Sequence, residues 1–161
     1  KRYEGGTVTR LADVPLSVLP LYVREGAFIP QADYAMENTG DYRSDRFTVS
    51  YYPGAEGSSV YTLFDDNHIS PRSLEEKHYR LVNSGDVSAR EIAVNISAEG
   101  TYEGAPSAID FTFKVNCLTI APKEVKVGGK KVPSEFDPEK GVLTFSFKFN
   151  PDKVTKIKIT K

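Results

Sequence analysis

The sequence has no tryptophan, one cysteine, one methionine and two histidines among its 161 residues. A single cysteine excludes an internal disulfide and any cysteine-based metal site within one chain. Cys117 lies in the apolar-rich run 115–121, so we expect it to be a small buried apolar residue. The scarcity of cysteine leaves the compartment open, since secreted and cytosolic proteins can both do without disulfides.

A strong charge bias and long hydrophobic runs are also missing. The net charge is -1 and 39% of the residues are hydrophobic, values typical of a globular domain. No run of eighteen apolar residues and no signal-peptide pattern occur. We therefore expect neither nucleic acid nor a membrane as a partner. Lys1, with no Met before it, suggests a chain that begins inside a longer protein.

The dominant hydrophobic period is two residues, in short segments separated by Gly, Pro, Asn and Asp. This pattern predicts an all-β fold, an antiparallel β-sandwich. Alternating apolar residues predict its core rows at 47–51, 92–96, 109–115 and 143–149. Ile157 and Ile159 alternate with lysines, which predicts an edge or outer strand.

Turn chemistry indicates how these strands are joined. Gly128 and Gly129 can both adopt positive φ, so they predict a tight hairpin. One short helix is expected over 73–77, with Ser70 as its cap and Pro71 in its first turn.

The first part of the chain differs in amino-acid composition from the rest. Prolines at positions 15, 20 and 30 interrupt short apolar runs, and residues 35–45 lack any large aliphatic side chain. We therefore predict a short N-terminal β remnant of a second domain, with its linker, over residues 1–44. The β-sandwich domain would span residues 45–161.

One segment has a distinctive order of residues: VPLSVLPLYVREGAFIP at positions 14–30. It closely resembles the stretch that follows the catalytic barrel in family 31 glycoside hydrolases, approximately A-P-L-x-x-I-P-L-F-V-R-E-G-A-I-I-P. Farther on, Tyr51-Tyr52-Pro53-Gly54 and the segment 61–67 are similar to that family's distal C-terminal domain, Y-P-x-x-x-x-x-x-Y-x-L-Y-E-D-D-G. Phe64 here replaces the common Tyr, and Asn67 the common Gly.

The resemblance implies a parent enzyme of the α-glucosidase or α-xylosidase type, whose (β/α) barrel carries both catalytic carboxylates. The family's W-x-D-M-N-E-like nucleophile segment does not occur in this chain. Retaining hydrolysis needs two carboxylates about 5 Å apart on a rigid scaffold. We therefore predict a non-catalytic accessory region without a cofactor that supports the barrel of the same polypeptide. The parent's sugar specificity, and a periplasmic, secreted or cytoplasmic location, stay open.

Two alternative sites follow from individual residues. Exposed tyrosines can stack on sugar rings, so Tyr52 and Tyr102 are candidates for a carbohydrate-binding module that holds an oligo- or polysaccharide. Asp65 and Asp66 offer oxygen ligands for calcium, but an Asp-Asn turn that bonds its own backbone explains them better. His68 and His78 have a spacing that matches no zinc site.

A docking surface for the barrel is expected within the segment 14–30. Arg24 and Glu25 precede Gly26 in a predicted tight turn, where a charged pair could contact the barrel, although solvated turn residues are an equal alternative. Leu21 and Phe28 are the apolar candidates. Without the barrel the chain should expose some of these large apolar residues and self-associate: Leu16, Leu19, Leu21, Val23, Phe28 or Ile29.

Overall fold

The computed structural model describes residues 3–8, 13–32, 35–73, 75 and 80–161. These residues form eleven strands and one short 3-10 helix, Thr39–Asp41, which Asn38 caps. The strands are β1 Ala27–Gln31, β2 Arg46–Tyr52, β3 Gly57–Phe64, β4 Arg80–Val87, β5 Glu91–Glu99, β6 Ile109–Val115, β7 Glu124–Val127, β8 Lys130–Lys131, β9 Glu135–Asp137, β10 Val142–Phe149 and β11 Thr155–Thr160.

The strands form two sheets, which confirms the predicted all-β sandwich. The first sheet has the order β1-β2-β6-β10-β9 and the second β3-β4-β5-β11-β7-β8. Neighbouring strands are antiparallel except β2 and β6, which pair in parallel. That exception arises because the chain leaves the first sheet after β2, forms β3, β4 and β5 in the other sheet, and then returns. Within the described part of the chain, no helix is long and apolar enough to cross a membrane.

The core lies between the two sheets and includes the predicted alternating rows. Nearly every apolar residue in these rows is buried, and Phe147 is half-buried. Phe113 stacks on Phe145 and Phe111 on Phe147, each pair with ring centroids 5.6 Å apart. These pairs face each other directly across β6 and β10, so the period-two pattern that buries one face of each strand also aligns the aromatic rings.

The predicted hairpin at Gly128 and Gly129 is confirmed. It joins β7 to β8, with φ of 57° at Gly128 and 81° at Gly129. Positive φ at both central residues is the backbone of a type I′ turn, whose twist matches that of the flanking strands. The glycines therefore determine the register of this hairpin.

The helix predicted over 73–77 falls partly on residues 74, 76 and 77, which lie outside the described residues. Pro71, Arg72 and Ser73 form a turn, and the amide of Glu75 donates to the carbonyl of Arg72. No α-helix occurs among the residues that the structure describes.

Two local predictions were wrong. β11 is not an edge strand, because it lies between β5 and β7, and its lysines point to the solvent face of the sheet. Cys117 is exposed rather than buried, in the turn after β6 with φ of 61°. Left-handed backbone turns its side chain away from the row that ends at Val115.

Part of the predicted N-terminal remnant belongs to the sandwich. β1 pairs with β2 from Ala27↔Tyr52 to Gln31↔Thr48, so these five residues form the edge of the first sheet. Pro30 is compatible with this position because an edge strand does not need every N–H. The division of the remaining N-terminal residues from the domain over 45–161 stays a prediction.

Candidate functional site

The predicted tight turn at Arg24 and Glu25 is confirmed. The amide of Ala27 donates to the carbonyl of Arg24 at 3.2 Å, and Gly26 has φ of 79°. The amide of Gly26 also donates to the carbonyl of Tyr52 at 2.8 Å. The turn is thus attached to the end of β2, and its two charged side chains stand at one end of the sandwich.

Most of the apolar residues just before this turn are exposed, and we call residues 14–23 the N-terminal apolar segment. Leu16 is fully exposed, Leu19 is 77% and Leu21 79% exposed. Tyr22 is exposed as well, and its ring meets the Tyr3 ring edge-on with centroids 5.4 Å apart. Leu21 is therefore exposed, and its role in docking stays a prediction.

Phe28, the other apolar docking candidate, lies in the core instead. It is 3% exposed, and its ring stacks on Tyr51 with centroids 4.1 Å apart and planes 12° from parallel. β1 joins the sheet directly after the turn, so its alternation points Phe28 inward. Ile29, on the opposite face of β1, is half-buried.

The acidic segment after β3 is held by its own backbone. Asp66 Oδ1 accepts from the amide of His68 at 2.8 Å, and Asn67 Oδ1 accepts from the amides of Ile69 and Ser70, each at 3.1 Å. His68 adopts φ of 57°. This is the bonding expected of an Asp-Asn turn. Among the described residues, no group of three or more His, Cys, Asp or Glu side chains is arranged to hold a metal ion. His78 lies outside them.

Asp65 and Tyr102 meet inside the fold. The Tyr102 hydroxyl donates to Asp65 Oδ2 at 2.9 Å and is 3.1 Å from Ser44 Oγ. His68 Nε2 is 3.6 Å from the other Asp65 oxygen. This cluster connects parts of the chain that are far apart in sequence: the residues just before β2, those just after β3 and the turn after β5.

Burial determines the electrostatics of this cluster. The Asp65 side chain is 3% exposed, and desolvation raises the pKa of its carboxyl although the Tyr102 bond offsets part of the shift. Burial, reinforced by the nearby Asp65 charge, raises the pKa of Tyr102 to about 12. The arrangement is a buried hydrogen-bonded carboxyl rather than a solvent-exposed metal ligand.

The two carbohydrate-binding candidates have different surroundings. The Tyr102 ring packs half-buried against the core and its hydroxyl is bonded within the fold, so it is not a free stacking surface. Tyr52 is half-buried, opposite Ala27 on the outer face of the first sheet. Sugar binding at Tyr52 stays a prediction.

Sequence comparison finds a curated relative among the glycosidases. An α-xylosidase of Saccharolobus solfataricus is 30% identical over 96 residues, which cover 58% of this chain and 12% of that enzyme. The matched residues are thus a small part of the length of that α-xylosidase. No family model matches the chain.

Solved structures share the fold at lower sequence identity. A family 31 dextranase of Flavobacterium johnsoniae, in complex with isomaltotriose, aligns with a TM-score of 0.71 and 18% identity over 86% of this chain and 19% of that chain. A cycloalternan-forming enzyme of Listeria monocytogenes aligns with a TM-score of 0.59 and 17% identity, over 85% of this chain and 13% of that one. The comparisons confirm the resemblance predicted from the sequence: this chain is similar to a C-terminal β region of family 31 glycoside hydrolases.

Proposed function

We propose that this chain is a non-catalytic accessory region of a retaining α-glycosidase and that it supports the catalytic barrel of the same polypeptide. The observation that carries the proposal is the N-terminal apolar segment, whose leucines are exposed while the sandwich core behind them is complete. Several large apolar side chains exposed within one short segment favour a contact with another protein surface. The similarity to glycosidases many times longer than this chain supports a barrel as that surface.

The hydrogen-bonded turn and strand that follow this segment fix its C-terminal end on the sandwich. The segment continues directly into the Arg24–Ala27 turn and then into β1, which is hydrogen-bonded to β2. Leu21 and Tyr22 are exposed only a few residues before Phe28 enters the core. The sandwich can therefore hold the segment against a barrel without changing its own packing.

The proposal is tested in the full-length polypeptide by replacing Leu16, Leu19 and Leu21 together with serine. We expect the barrel to lose activity at a lower temperature, because polar side chains would weaken the contact. The matched control replaces Ile120 and Val154 with serine, since these apolar residues are similarly exposed outside the segment. Equal thermal inactivation of the triple variant, the control and the unchanged enzyme would contradict the proposal.

Two further results bear on the same proposal. The isolated chain should release no sugar from α-glucosides or α-xylosides above the buffer rate, and turnover would contradict a non-catalytic role. The coding region upstream of Lys1 should contain a W-x-D-M-N-E-like segment in the same reading frame. A start codon or an unrelated domain at that place would contradict the assignment to a glycosidase.

A further inference from the structure

The edge strands of the two sheets differ in how they are protected from pairing with another chain. β1 contains Pro30, β8 is the pair Lys130–Lys131, and β9 is the short strand Glu135–Asp137 with a carboxylate at each end. Short strands, prolines and charged side chains are the usual means by which an edge avoids further pairing. β3 is the exception, because its eight residues, GSSVYTLF, include neither a proline nor a charged side chain. β3 is therefore the edge that can accept another strand.

The free side of β3 is accessible to a partner. β3 pairs with β4 on one side, and no described residue forms a backbone hydrogen bond with its other side. All eight of its residues are exposed or half-buried. Tyr61 and Leu63 lie opposite buried residues of β4, so the alternation of the strand places Val60 and Thr62 on the solvent face of the sheet. An added strand would thus meet backbone donors and acceptors beside uncharged side chains.

The N-terminal apolar segment has the properties of a strand that such an edge accepts. It carries no charge, and its seven large apolar side chains are all exposed. Residues 19–23 belong to no helix or strand and form no backbone hydrogen bond with a described residue. Pro20 is compatible with this role, because a strand added at an edge has a second side that faces solvent and needs no N–H.

The segment and β3 adjoin at one end of the sandwich. The segment leads into the Arg24–Ala27 turn, which lies beside the start of β3: a Cβ added at Gly26 would be 2.9 Å from the Cβ of Ser59. Within one chain, the segment is not paired with β3. A two-fold axis between two copies brings each segment to the β3 of the other copy. Both contacts then form together, since a two-fold interface uses the same surface on both chains.

We propose that two copies of this chain associate by reciprocal strand addition, in which residues 19–23 of each copy extend the second sheet at β3 of the other. Main-chain hydrogen bonds supply the affinity, as in other complexes in which an extended peptide is added to a sheet. The exposed leucines of the segment are covered at the same time. The association does not need a barrel. Where a barrel covers the segment, the two contacts exclude each other, and the barrel contact has its own test in the full-length polypeptide.

The first test introduces a charge on β3. Val60→Lys gives β3 the type of side chain that protects β8, so light scattering should show a dissociation constant of the dimer at least about tenfold higher than that of the unchanged chain. Val154→Lys is the matched control, because this valine is 59% exposed, compared with 69% for Val60, and lies outside β3. The control should associate like the unchanged chain. Equal association of all three proteins would overturn the proposal.

A mixture of two variants distinguishes strand addition from a contact between two segments. One variant has serine in place of Leu16, Leu19 and Leu21 and keeps β3, whereas Val60→Lys keeps the segment. Each should be monomeric alone. Their equimolar mixture should form a heterodimer, at a higher protein concentration than the unchanged chain needs, because one of the two contacts remains. A mixture that stays monomeric, or a Val60→Lys chain that dimerises by itself, would overturn the proposal.

Discussion

Asp65 carries a carboxyl that the fold buries and bonds to Tyr102, so its ionisation opposes folding. Desolvation raises the pKa of this carboxyl in the folded chain, whereas in the unfolded chain it has the ordinary value. A raised folded pKa adds stability while the group is protonated, and that stability is lost as the pH rises through the folded pKa. Asn is always neutral and can still accept from the Tyr102 hydroxyl.

We therefore expect Asp65→Asn to become more stable relative to the unchanged chain as the pH rises from 3.8, the ordinary Asp pKa, through the raised folded pKa. The difference should level off at higher pH. Urea unfolding of both proteins at a series of pH values measures it. A difference that is independent of pH, or that falls as the pH rises, would contradict the burial of an ionisable carboxyl at this position.

Asp137→Asn is a control of opposite sign. Hydrogen bonds from the amide and side chain of Lys140 lower the pKa of the Asp137 carboxyl. Its contribution to stability is present above the ordinary Asp pKa and is lost as the pH falls through the folded pKa. Replacing it with Asn should therefore reduce relative stability as the pH rises.

Local hydrogen bonds can be predicted from the residue types, whereas contacts between distant residues cannot. The bonding of Asp66 and Asn67 to their own backbone followed from the residue types, because Asx turns are local. The bond between Asp65 and Tyr102 could not be predicted, since it joins residues 37 apart and depends on how two turns meet.

At the scale of elements, a period of two residues predicts which face of a strand is buried, but it does not identify the neighbouring strands. The core rows on β2, β5, β6 and β10 were therefore predicted correctly. The alternating lysines of β11 look the same on a central strand with one solvated face as on an edge strand. A short N-terminal β element was predicted, but its pairing with β2 at the edge of the first sheet was not, because a pattern of five residues that includes Pro30 does not identify a partner strand.

β1 leads to a prediction about where the folded unit begins. Phe28→Ala should lower the free energy of unfolding by ~3–5 kcal/mol, because it removes a buried ring that stacks on Tyr51. Leu16→Ala should change it by less than about 0.5 kcal/mol, since this side chain is exposed. Urea unfolding monitored by tyrosine fluorescence compares the two.

If Phe28→Ala does not fold, Phe28→Leu keeps the comparison available, because it retains part of the buried side chain and its loss should be smaller. Similar effects of the Phe28 and Leu16 substitutions would mean that β1 is not integrated into the sandwich. The β-sandwich domain would then begin near residue 45, as the sequence predicts. If only the Phe28 substitution is destabilising, the domain begins before β1, near Arg24.

At the scale of the whole molecule, the chain combines a complete core with an apolar surface that nothing in the described structure covers. Folding buries Phe28 but leaves Leu16, Leu19 and Leu21 exposed in one short segment. In the absence of the proposed barrel, a second copy of the chain offers the same apolar side chains. We therefore expect the isolated chain to self-associate through the N-terminal apolar segment.

Light scattering at increasing concentration should give a mass above that of one chain, 17.8 kDa. Replacing Leu16, Leu19 and Leu21 with serine should return it to the monomer mass, while the Ile120 and Val154 control should still associate. A monomer at every concentration would contradict self-association, and association that persists in the triple variant would place the contact elsewhere. The same triple variant tests both expectations. If it dissociates the isolated chain and also destabilises the full-length polypeptide, the N-terminal apolar segment makes both the self-association contact and the proposed contact with a barrel.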